Sequence, residues 1–172
     1  MSHIYLFCYG SNSARQIQER LSLSLPLEYK NAMIPDYCRI FAGKSSRWGG
    51  GGIATIIPCK GRNVYGIVVK CTFEQLMIID TYEIGYRLEM MDVIVDESAR
   101  ESHTSKNCFV YMKENTEFRA FPSIDYLSAI DEMLSDRISA KKTRRIMIRA
   151  LCNGKVVTKG YFEKGYGIKN ES

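Results

Sequence analysis

Histidine is scarce in this 172-residue chain, and long apolar runs are missing from it. The two histidines are His3 and His103, and no two of the six cysteines are spaced as a CxxC pair. This spacing argues against a zinc site and against a dense disulfide framework. No stretch approaches the roughly 20 apolar residues that cross a membrane, and residues 1–8 lack the basic start of a signal peptide. These absences predict a cytoplasmic protein with reduced thiols and no metal.

A strong excess of charge of one sign is also absent. The net charge is +5 and charged residues make up 25% of the chain, which is typical of ordinary globular proteins. One basic cluster, "KKTRRIMIR" at 141–149, is most simply the solvated face of a helix. The alternative is a nucleic-acid-binding role, which predicts tight, salt-sensitive binding to any DNA or RNA. We expect neither a nucleic acid nor a membrane as a partner.

Regular alternation of strands and helices is missing, and this decides the expected fold class. The order is one strand and helix, several strands, one short helix, two more strands and then helices. A doubly wound sheet needs regular alternation, so we predict an α+β fold with a small mixed or antiparallel, barrel-like sheet and flanking helices. The length fits one domain over 1–172, in which the last ~35 residues show no recognisable pattern.

Apolar periodicity and turn residues place the individual elements. Strands are predicted over 4–9, 37–43, 53–58, 64–71, 87–95 and 107–114, with a turn at 60–63 and a polar turn region at 96–106. Helices are predicted over 13–21, over 72–83, from Ser123 onward and over the basic cluster, followed by a turn and strand at 153–157. A loop that leaves room for a strand lies between Pro26 and Pro35.

A tight turn follows the first predicted strand. It consists of Tyr9, Gly10, Ser11 and Asn12. Glycine permits backbone geometries that other residues resist, so the successive N–H groups of this turn are suited to hold an anion or a carbonyl oxygen. The alternative is a simple strand-to-helix turn in which Ser11, Asn12 or Ser13 caps the helix. Cys8, just before the turn, is the only thiol that we consider as a nucleophile, and it would need a histidine partner.

A single carboxylate, Glu83, lies where a helix is predicted to end. Thr72 and Gln75 form a capping-box pattern at the start of this helix, and Leu76 and Ile79 form its buried stripe. Glu83 follows Ile79 by four residues, so it falls on the same face. Burial and the negative end of the helix dipole both disfavour the ionised form of such a carboxyl, which suits a general acid/base near neutral pH. The alternative is a frayed helix end that leaves Glu83 in solvent.

A run of four glycines, 49–52, follows Trp48. A phosphate-binding P-loop continues into Lys-Ser/Thr and a helix, whereas this run leads into a strand. A flexible loop or a close approach between backbones is therefore the preferred interpretation. Two tyrosines, Tyr111 on a predicted strand and Tyr126 near a predicted helix start, fit either a site or the commoner core position with a satisfied hydroxyl.

Five sequence motifs occur in an order that resembles the γ-glutamylcyclotransferase family. They are "YGSN" after an apolar strand, "WGGGGIATIIP", "VYGIVVKCTFEQLMIIDTYE", "FVYMK" and "FPSIDYLSAI", and they span Tyr5 to Ile130. Each motif is weak by itself, but five in order are a specific signal. The resemblance implies a small mixed barrel with flanking helices, and it implies no metal and no cofactor.

The resemblance also implies a reaction and the residues that perform it. The family converts a γ-glutamyl amino acid or γ-glutamyl amine to 5-oxoproline and the free amine. By motif matching, Glu83 is the catalytic acid/base, the segment 6–11 forms the substrate loop, and Tyr111 holds the γ-glutamyl group. The substrate-binding candidates are therefore Leu6, Phe7, Cys8, Tyr9, Gly10, Ser11, Asn12 and Tyr111, with Trp48, Gly52 and Tyr126 as weaker candidates. The expected partner is a small γ-glutamyl molecule, and a homodimer is left open.

Two details of the motifs bear on the substrate. The YGSN form of the turn resembles the branch of the family that acts on general γ-glutamyl amino acids. Ile84 stands where the family usually has glycine after its catalytic glutamate. The segment 84–90 that leads to the next strand is also shorter than the family's usual stretch, so the wall beside the leaving amine is expected to differ. A non-catalytic protein of the same fold that binds a γ-glutamyl metabolite is the alternative to an enzyme.

Overall fold

Five strands close into a small barrel with mixed strand directions. The computed structural model describes residues 2–97, 102–148, 151–152 and 155–156. The barrel strands are β1 (Ile4–Cys8), β2 (Tyr29–Ser45), β3 (Gly51–Cys71), β4 (Tyr86–Glu97) and β5 (Ser102–Lys113). Their order is β3, β1, β5, β4, β2, and additional pairing between β2 and β3 closes the barrel. Neighbouring strands are antiparallel except β1 and β5, which are parallel.

The β3 strand is longer than the sequence patterns predicted. The separate strands predicted at 53–58 and 64–71 are two parts of it, and the predicted turn at 60–63 is a bulge within it. Pairing with β2 continues on both sides of this bulge. Gly61 has a φ of 79° there, and its N–H donates to Asp36 Oδ1 over 2.8 Å. The turn prediction was wrong because an irregular step in a ladder and a true turn use the same glycine and polar residues.

Strands also occupy much of two other segments that the sequence analysis predicted as a loop or a turn region. β2 begins well before Pro35 and so fills most of the predicted loop. The predicted turn region at 96–106 was wrong at both ends, because β4 and β5 stay paired along their whole described length. Asp96 and His103 lie opposite each other in this hairpin, with 3.0 Å between carboxylate and imidazole. Polar residues are usual on a solvated strand face, so polarity alone did not mark a turn.

Within the described residues, four α-helices flank the barrel and begin close to where the sequence predicted. They are α1 (Ala14–Arg20), α2 (Phe73–Asp80), α3 (Ile124–Ser135) and α4 (Lys141–Met147). The hydroxyls of Ser13, Thr72 and Ser123 cap the first three by accepting backbone N–H groups, and the capping box of α2 is complete. Barrel and helices together confirm the predicted α+β class with a barrel-like sheet.

The core lies inside the barrel and beneath the apolar faces of the helices. Leu76 and Ile79 of α2 are almost completely buried, as their spacing predicted, and so are Leu127 and Ile130 of α3. Burying such a side chain contributes about 1.5–3 kcal/mol. These contacts fix α2 and α3 on the barrel, and with them the chain that follows α2 and the chain that precedes α3.

A buried arginine connects the barrel wall to the end of β1. Arg39 of β2 is 1% exposed and donates to the backbone carbonyls of Tyr9, Tyr65 and Met147 over 2.9 to 3.1 Å. Burial lowers the pKa of Arg39 to about 10. Because a buried charge and buried carbonyls all need partners, this arrangement fixes the chain at Tyr9 in one position.

The basic cluster at 141–149 is used in part to attach α4 to α3. Arg144 forms an ion pair with Asp131 over 3.1 Å and donates to the carbonyls of Ile138 and Ser139, and 11% of its side chain is exposed. Arg144 therefore has a structural role, which agrees with a helix packed against the domain more than with a surface reserved for a polyanion.

Two short strands follow α4. β6 (Leu151–Cys152) pairs with β2, and β7 (Lys155–Val156) pairs with β6. The remainder of the turn and strand predicted at 153–157 lies outside the described residues. No helix in the described part of the chain is long and apolar enough to span a lipid bilayer.

Candidate active site

A cavity of about 330 Å³ opens beside the end of β1. A volume in this range accommodates a small molecule. Its lining brings together nearly all the residues that the sequence indicated: Leu6, Phe7, Cys8, Tyr9, Gly10, Ser11, Asn12, Trp48, Glu83, Tyr111 and Tyr126. These residues come from β1 and its turn, a short 3-10 helix (Ser46–Trp48), the segment after α2, β5 and α3. The fold therefore assembles one site from five separate segments.

The turn after β1 brings a glycine close to Tyr126 and leaves backbone donors free. A Cβ at Gly10 would lie 3.1 Å from the Tyr126 hydroxyl, which is tighter than most real contacts of this kind. Ser13 caps α1, so neither Ser11 nor Asn12 is needed as the cap. Within the described residues, no acceptor engages the backbone N–H groups of Gly10, Ser11 or Asn12. The turn thus starts a helix and also presents unpaired donors at the cavity.

Tyr9 has a structural role at this turn. Its hydroxyl donates to the backbone carbonyl of Tyr111, and its own carbonyl accepts hydrogen bonds from Arg39 over 2.9 and 3.1 Å. The residue is 4% exposed, and burial raises the pKa of its phenol. Tyr9 thereby joins β1, β2 and β5 at the point where the turn begins.

Glu83 lies just beyond α2, in a turn rather than on the helix. α2 ends at Asp80, and the N–H groups of Tyr82 and Glu83 bond three residues back to the carbonyls of Ile79 and Asp80, over 2.9 and 3.1 Å. Such bonds tighten the last turn and change the direction of the side chains. The prediction that the helix continues to Glu83 and carries it on its buried face was therefore wrong. The side chain is nevertheless only 12% exposed, and it lines the cavity.

Two side chains hold the Glu83 carboxylate by one oxygen. Asn12 donates from Nδ2 over 2.9 Å and Arg20 donates from Nη1 over 3.0 Å, both to Oε1. Arg20 also donates to Asn12 Oδ1 over 2.9 Å, which closes a three-residue network. Among the described residues, none donates to Oε2, the second carboxylate oxygen. One oxygen is thus fixed and the other is open to a ligand.

Arg20 is the main site residue that the sequence reasoning missed. It ends α1, its side chain is 8% exposed, and its guanidinium lies 4.7 Å from the centre of the Tyr82 ring. The sequence analysis treated Glu83 as a lone carboxylate, and this was wrong because its partner lies 63 residues away in the chain. The one available signal was a basic residue at the end of the helix after the turn, which is equally typical of any helix C-terminus.

Three aromatic side chains frame the cavity. Tyr111 is 5% exposed and donates its hydroxyl hydrogen to Asp80 Oδ1 over 3.1 Å. The Tyr126 hydroxyl accepts the Ala54 N–H over 2.9 Å, and the Trp48 ring meets the Tyr126 ring edge-on with centroids 5.0 Å apart. Because its hydrogen is engaged, the Tyr111 hydroxyl keeps only acceptor capacity for a ligand.

Gly52 is the one candidate residue that does not line the cavity. A Cβ at this position would lie 2.2 Å from the Ala120 carbonyl oxygen, and the Gly52 N–H donates to the Phe121 carbonyl over 2.9 Å. The glycine run therefore allows β3 to approach the segment before α3, which is one of the two interpretations that the sequence left open.

The Cys8 thiol does not have the surroundings of a nucleophile. It is buried, and burial raises its pKa well above the ordinary value, whereas a reactive thiol needs a lowered one. No histidine is among the described residues that line the cavity. Nor does the described part of the chain contain a group of three or more His, Cys, Asp or Glu side chains that could hold a metal ion.

The cavity carries more positive charge than the sequence reasoning anticipated. Lys44, Arg47 and Lys113 line it together with Arg20, whereas Glu83 is the one carboxylate in its described lining. Of these four cations, only Arg20 forms an ion pair within the described residues. We call Lys44, Arg47 and Lys113 the cationic arc.

The arrangement limits the chemistry that the site can perform. Unpaired backbone N–H groups are suited to hold a carboxylate or to stabilise a carbonyl oxygen that gains negative charge. A carboxylate with one fixed and one open oxygen can accept a proton and return it. The site is therefore suited to proton transfer on a small anionic ligand.

Comparison with known proteins shows which family this chain matches. The family profile described as gamma-glutamyl cyclotransferase, AIG2-like, matches residues 6–128. This range is more than half of the chain and contains every candidate residue that the sequence analysis named. No curated protein matches the chain.

Solved structures share the fold along most of the chain. One, a gamma-glutamyl cyclotransferase, is 25% identical with a TM-score of 0.69, and the match covers 95% of this chain and 100% of that one. An uncharacterised protein from Homo sapiens is 24% identical with a TM-score of 0.70, over 95% of this chain and 98% of that one. A glutathione-specific gamma-glutamyl cyclotransferase from yeast is 15% identical with a TM-score of 0.55, over 86% and 98%. The last two similarities show the fold alone.

Proposed function

The chain belongs to the gamma-glutamyl cyclotransferase, AIG2-like family, and we propose that it converts a γ-glutamyl amino acid or γ-glutamyl amine to 5-oxoproline and the free amine. One observation above all supports this proposal. The one carboxylate in the described lining, Glu83, has one oxygen fixed by Asn12 and Arg20 and its other oxygen open. Family membership supports the class of reaction, and this geometry supports Glu83 as its proton carrier.

The bond-making step is intramolecular. The α-amine nitrogen of the γ-glutamyl group attacks its own γ-carbonyl carbon, the new C–N bond closes a lactam, and the old C–N bond to the leaving amine breaks. Both protons that the α-ammonium group loses end on the leaving amine, so the reaction consumes no water and releases no net proton. Holding the γ-glutamyl chain in the folded-back conformation can lower the barrier by on the order of 7 kcal/mol or more.

Glu83 carries protons between the two nitrogens. Its Oε2 accepts a proton from the attacking amine and later donates one to the departing nitrogen, so that one carboxylate acts first as base and then as acid. Asn12 and Arg20 keep the carboxylate oriented during both steps, because they bond the oxygen that takes no part in the transfer. The ion pair is nearly buried, so it keeps this geometry in the presence of solvent.

The turn after β1 and Tyr111 hold the γ-glutamyl group. The N–H groups of Gly10 and Ser11 donate either to the α-carboxylate of the substrate or to the γ-carbonyl oxygen as it gains negative charge. The Tyr111 hydroxyl, whose hydrogen is engaged by Asp80, accepts a hydrogen bond from the α-amine. These contacts place the amine and the carbonyl carbon close to each other.

The first test is the release of 5-oxoproline, measured by mass spectrometry. The substrates are γ-glutamyl-alanine, γ-glutamyl-glutamine, glutathione and γ-glutamyl-ε-lysine, each incubated with the wild-type protein and with Glu83→Gln. We expect release from at least one compound by the wild type and almost none by the variant. Glutamine keeps the size and the Oε1 acceptor but cannot carry the proton.

Two results would contradict the proposal. Turnover by Glu83→Gln at nearly the wild-type rate would remove Glu83 from the mechanism. A folded wild-type protein that releases no 5-oxoproline, yet gains thermal stability with one of the four compounds, would favour the non-catalytic γ-glutamyl-binding alternative. Exposed Lys60, which does not line the cavity, provides a control variant, Lys60→Met, whose turnover should equal that of the wild type.

A further inference from the structure

The cationic arc has no role in the reaction described above. Lys44 lies near the end of β2, Arg47 lies in the 3-10 helix, and Lys113 ends β5. All three line the cavity that contains Glu83. In the part of the chain that the structure describes, none of the three has an acidic partner. The site thus carries three positive charges that no described carboxylate balances.

Two glycines lie beside the Lys113 ammonium group. A Cβ at Gly43 would lie 3.2 Å from Lys113 Nζ, and a Cβ at Gly85 would lie 3.9 Å from it. Gly43 has a φ of 70° and Gly85 a φ of 78°, a region that residues with a side chain rarely adopt. The ammonium group therefore lies between the end of β2 and the turn that follows Glu83.

The surroundings of Lys113 favour an anion. The side chain is partly buried, and burial lowers the pKa of the ammonium group. Its nearest compensation is the Tyr86 ring, whose centre lies 5.0 Å from Nζ. A cation–π contact is weaker than a charge-assisted hydrogen bond to a carboxylate. The carboxylate of a ligand would therefore stabilise the ammonium group more than this ring does, and it would take the place of the water that burial has removed. Lys44 and Arg47 are exposed and extend the positive potential outward.

The arc and the turn after β1 are built from different segments of the chain. The unpaired N–H groups of Gly10 and Ser11 serve the γ-glutamyl half, whereas the arc is built from β2, the 3-10 helix and β5. Ile84, which directly follows Glu83, is 85% exposed and lines the same cavity. Its neighbour Gly85 borders the Lys113 ammonium group. The segment next to the proton carrier therefore joins the reacting centre to the arc.

We propose that the cationic arc binds an anionic group on the leaving half of the substrate, so that the protein selects γ-glutamyl compounds whose leaving amine carries a carboxylate. This inference rests on the proposed function. It narrows the substrate class, because a leaving amine without an acidic group provides no counter-charge for the three cations of the arc. A leaving amine with two carboxylates can pair with more of these cations than one with a single carboxylate.

The test compares substrates that differ only in the leaving half. γ-Glutamyl-ethylamine equals γ-glutamyl-alanine without its carboxylate, and γ-glutamyl-glutamate adds a second one. We expect kcat/KM for γ-glutamyl-alanine to exceed that for γ-glutamyl-ethylamine by at least about tenfold, as a hydrogen bond to a charged group allows. The value for γ-glutamyl-glutamate should be equal or higher.

Variants of the cationic arc test which residues cause the preference for a carboxylate on the leaving amine. Lys113→Met keeps the aliphatic stem and removes the charge, and Lys44→Met combined with Lys113→Met removes two of the three charges. We expect both to lower kcat/KM for γ-glutamyl-alanine and to leave γ-glutamyl-ethylamine unchanged, so that the ratio falls toward one. Lys60→Met is the matched control, because it removes an exposed lysine outside the cavity.

Each failure has a distinct signature. Equal kcat/KM for the two compounds, or an equal loss on both in Lys113→Met, would overturn the inference and leave the proposed function intact. If neither compound releases 5-oxoproline, calorimetric titration of the wild type and of Lys113→Met with both compounds decides the matter. Tighter binding of γ-glutamyl-alanine that is lost in the variant would support the arc while the catalytic proposal fails. Equal binding would overturn the arc as well.

Discussion

Two sets of charged side chains line the cavity: Glu83 and Arg20 form an ion pair over 3.0 Å, whereas Lys44, Arg47 and Lys113 have no acidic partner among the described residues. The first set is compensated, so its geometry does not depend on a ligand. The second set gains a counter-charge only when an anion binds. The difference separates a part of the site that is suited to chemistry from a part that is suited to selection.

Burial decides how strongly each set of charged side chains should respond to substitution. The side chains of Arg20 and Glu83 are 8% and 12% exposed, so their interaction is weakly screened by salt. Lys44 and Arg47 are exposed, and charges in such positions contribute little individually. Lys113 is intermediate in exposure. The expected effects therefore decline from Glu83 to Lys44, and this order can be tested.

The largest effect is expected for Glu83→Gln. Loss of the proton carrier should lower kcat by about 10²–10⁴-fold for every γ-glutamyl substrate, since general acid–base catalysis contributes about that much. Affinity for γ-glutamyl-alanine should change little. Turnover assays together with calorimetry on the same preparation check both statements. A variant that lost binding to the same extent as turnover would indicate that Glu83 only maintains the shape of the cavity.

Arg20→Met should rank second and should affect all substrates alike. It leaves the nearly buried Glu83 without its cation, which costs about 3 kcal/mol in the free energy of unfolding and lowers kcat about tenfold. Urea unfolding and 5-oxoproline assays measure the two quantities. Arg20→Lys restores the charge without the planar guanidinium and should recover part of both. The contrary result would be an Arg20→Lys variant that matches the wild type in stability and yet turns over as slowly as Arg20→Met. That result would show that loss of charge compensation is not the reason for the lower kcat.

A smaller and selective effect is expected for Gly43→Ala. A Cβ there would lie 3.0 Å from Lys113 Cε and should displace the ammonium group, reducing kcat/KM for γ-glutamyl-alanine about threefold more than for γ-glutamyl-ethylamine. Gly61→Ala is the control, because Gly61 also has a positive φ but a Cβ there meets nothing within 4 Å. Both variants share the backbone cost, which is about 1 kcal/mol, and only Gly43→Ala should change the ratio of the two substrates.

The smallest effect is expected for Lys44→Met. Lys44 is exposed and its Nζ lies 5.4 Å from the centre of the Phe118 ring, so it should add about twofold to the preference for a carboxylate. Raising the salt concentration to about 0.5 M should remove this contribution in the wild type, because exposed charges are screened at that ionic strength. A twofold difference that persists at high salt would mean that Lys44 acts through packing against Phe118 instead.

Local patterns in the sequence predicted much of the framework. The capping residues Thr72 and Ser123 were identified from short spacings, and the cap of α1 was narrowed to three residues that include Ser13, because a helix start is decided within a few residues. The buried stripe of Leu76 and Ile79 followed from helical periodicity for the same reason. The order of the motifs placed nearly all candidate residues at one cavity before any pairing of strands was known.

Predictions from local patterns were wrong where the structure depends on contacts between segments that are far apart in the sequence. The bulge at Gly61 and the length of the β4–β5 hairpin depend on pairing with another strand, so composition alone suggested turns there. Gly52 was counted as a binding candidate, although its position is required by the Ala120 carbonyl 68 residues later in the chain. A glycine at this position fits both a binding role and a close approach between backbones, and only the contact with Ala120 distinguishes the two.

The sequence by itself determined the class of fold, the helix starts, the turn after β1 and the identity of the carboxylate beside it. Each of these depends on neighbours along the chain or on motif order. Tertiary structure alone decided that Glu83 is paired with Arg20 rather than isolated, and that Lys113 lies uncompensated between Gly43 and Gly85. Charge compensation depends on distance in space, since Coulomb energy and desolvation have no relation to separation along the chain. The carboxylate that we propose as the proton carrier could therefore be identified from the sequence, and the charges near it could not.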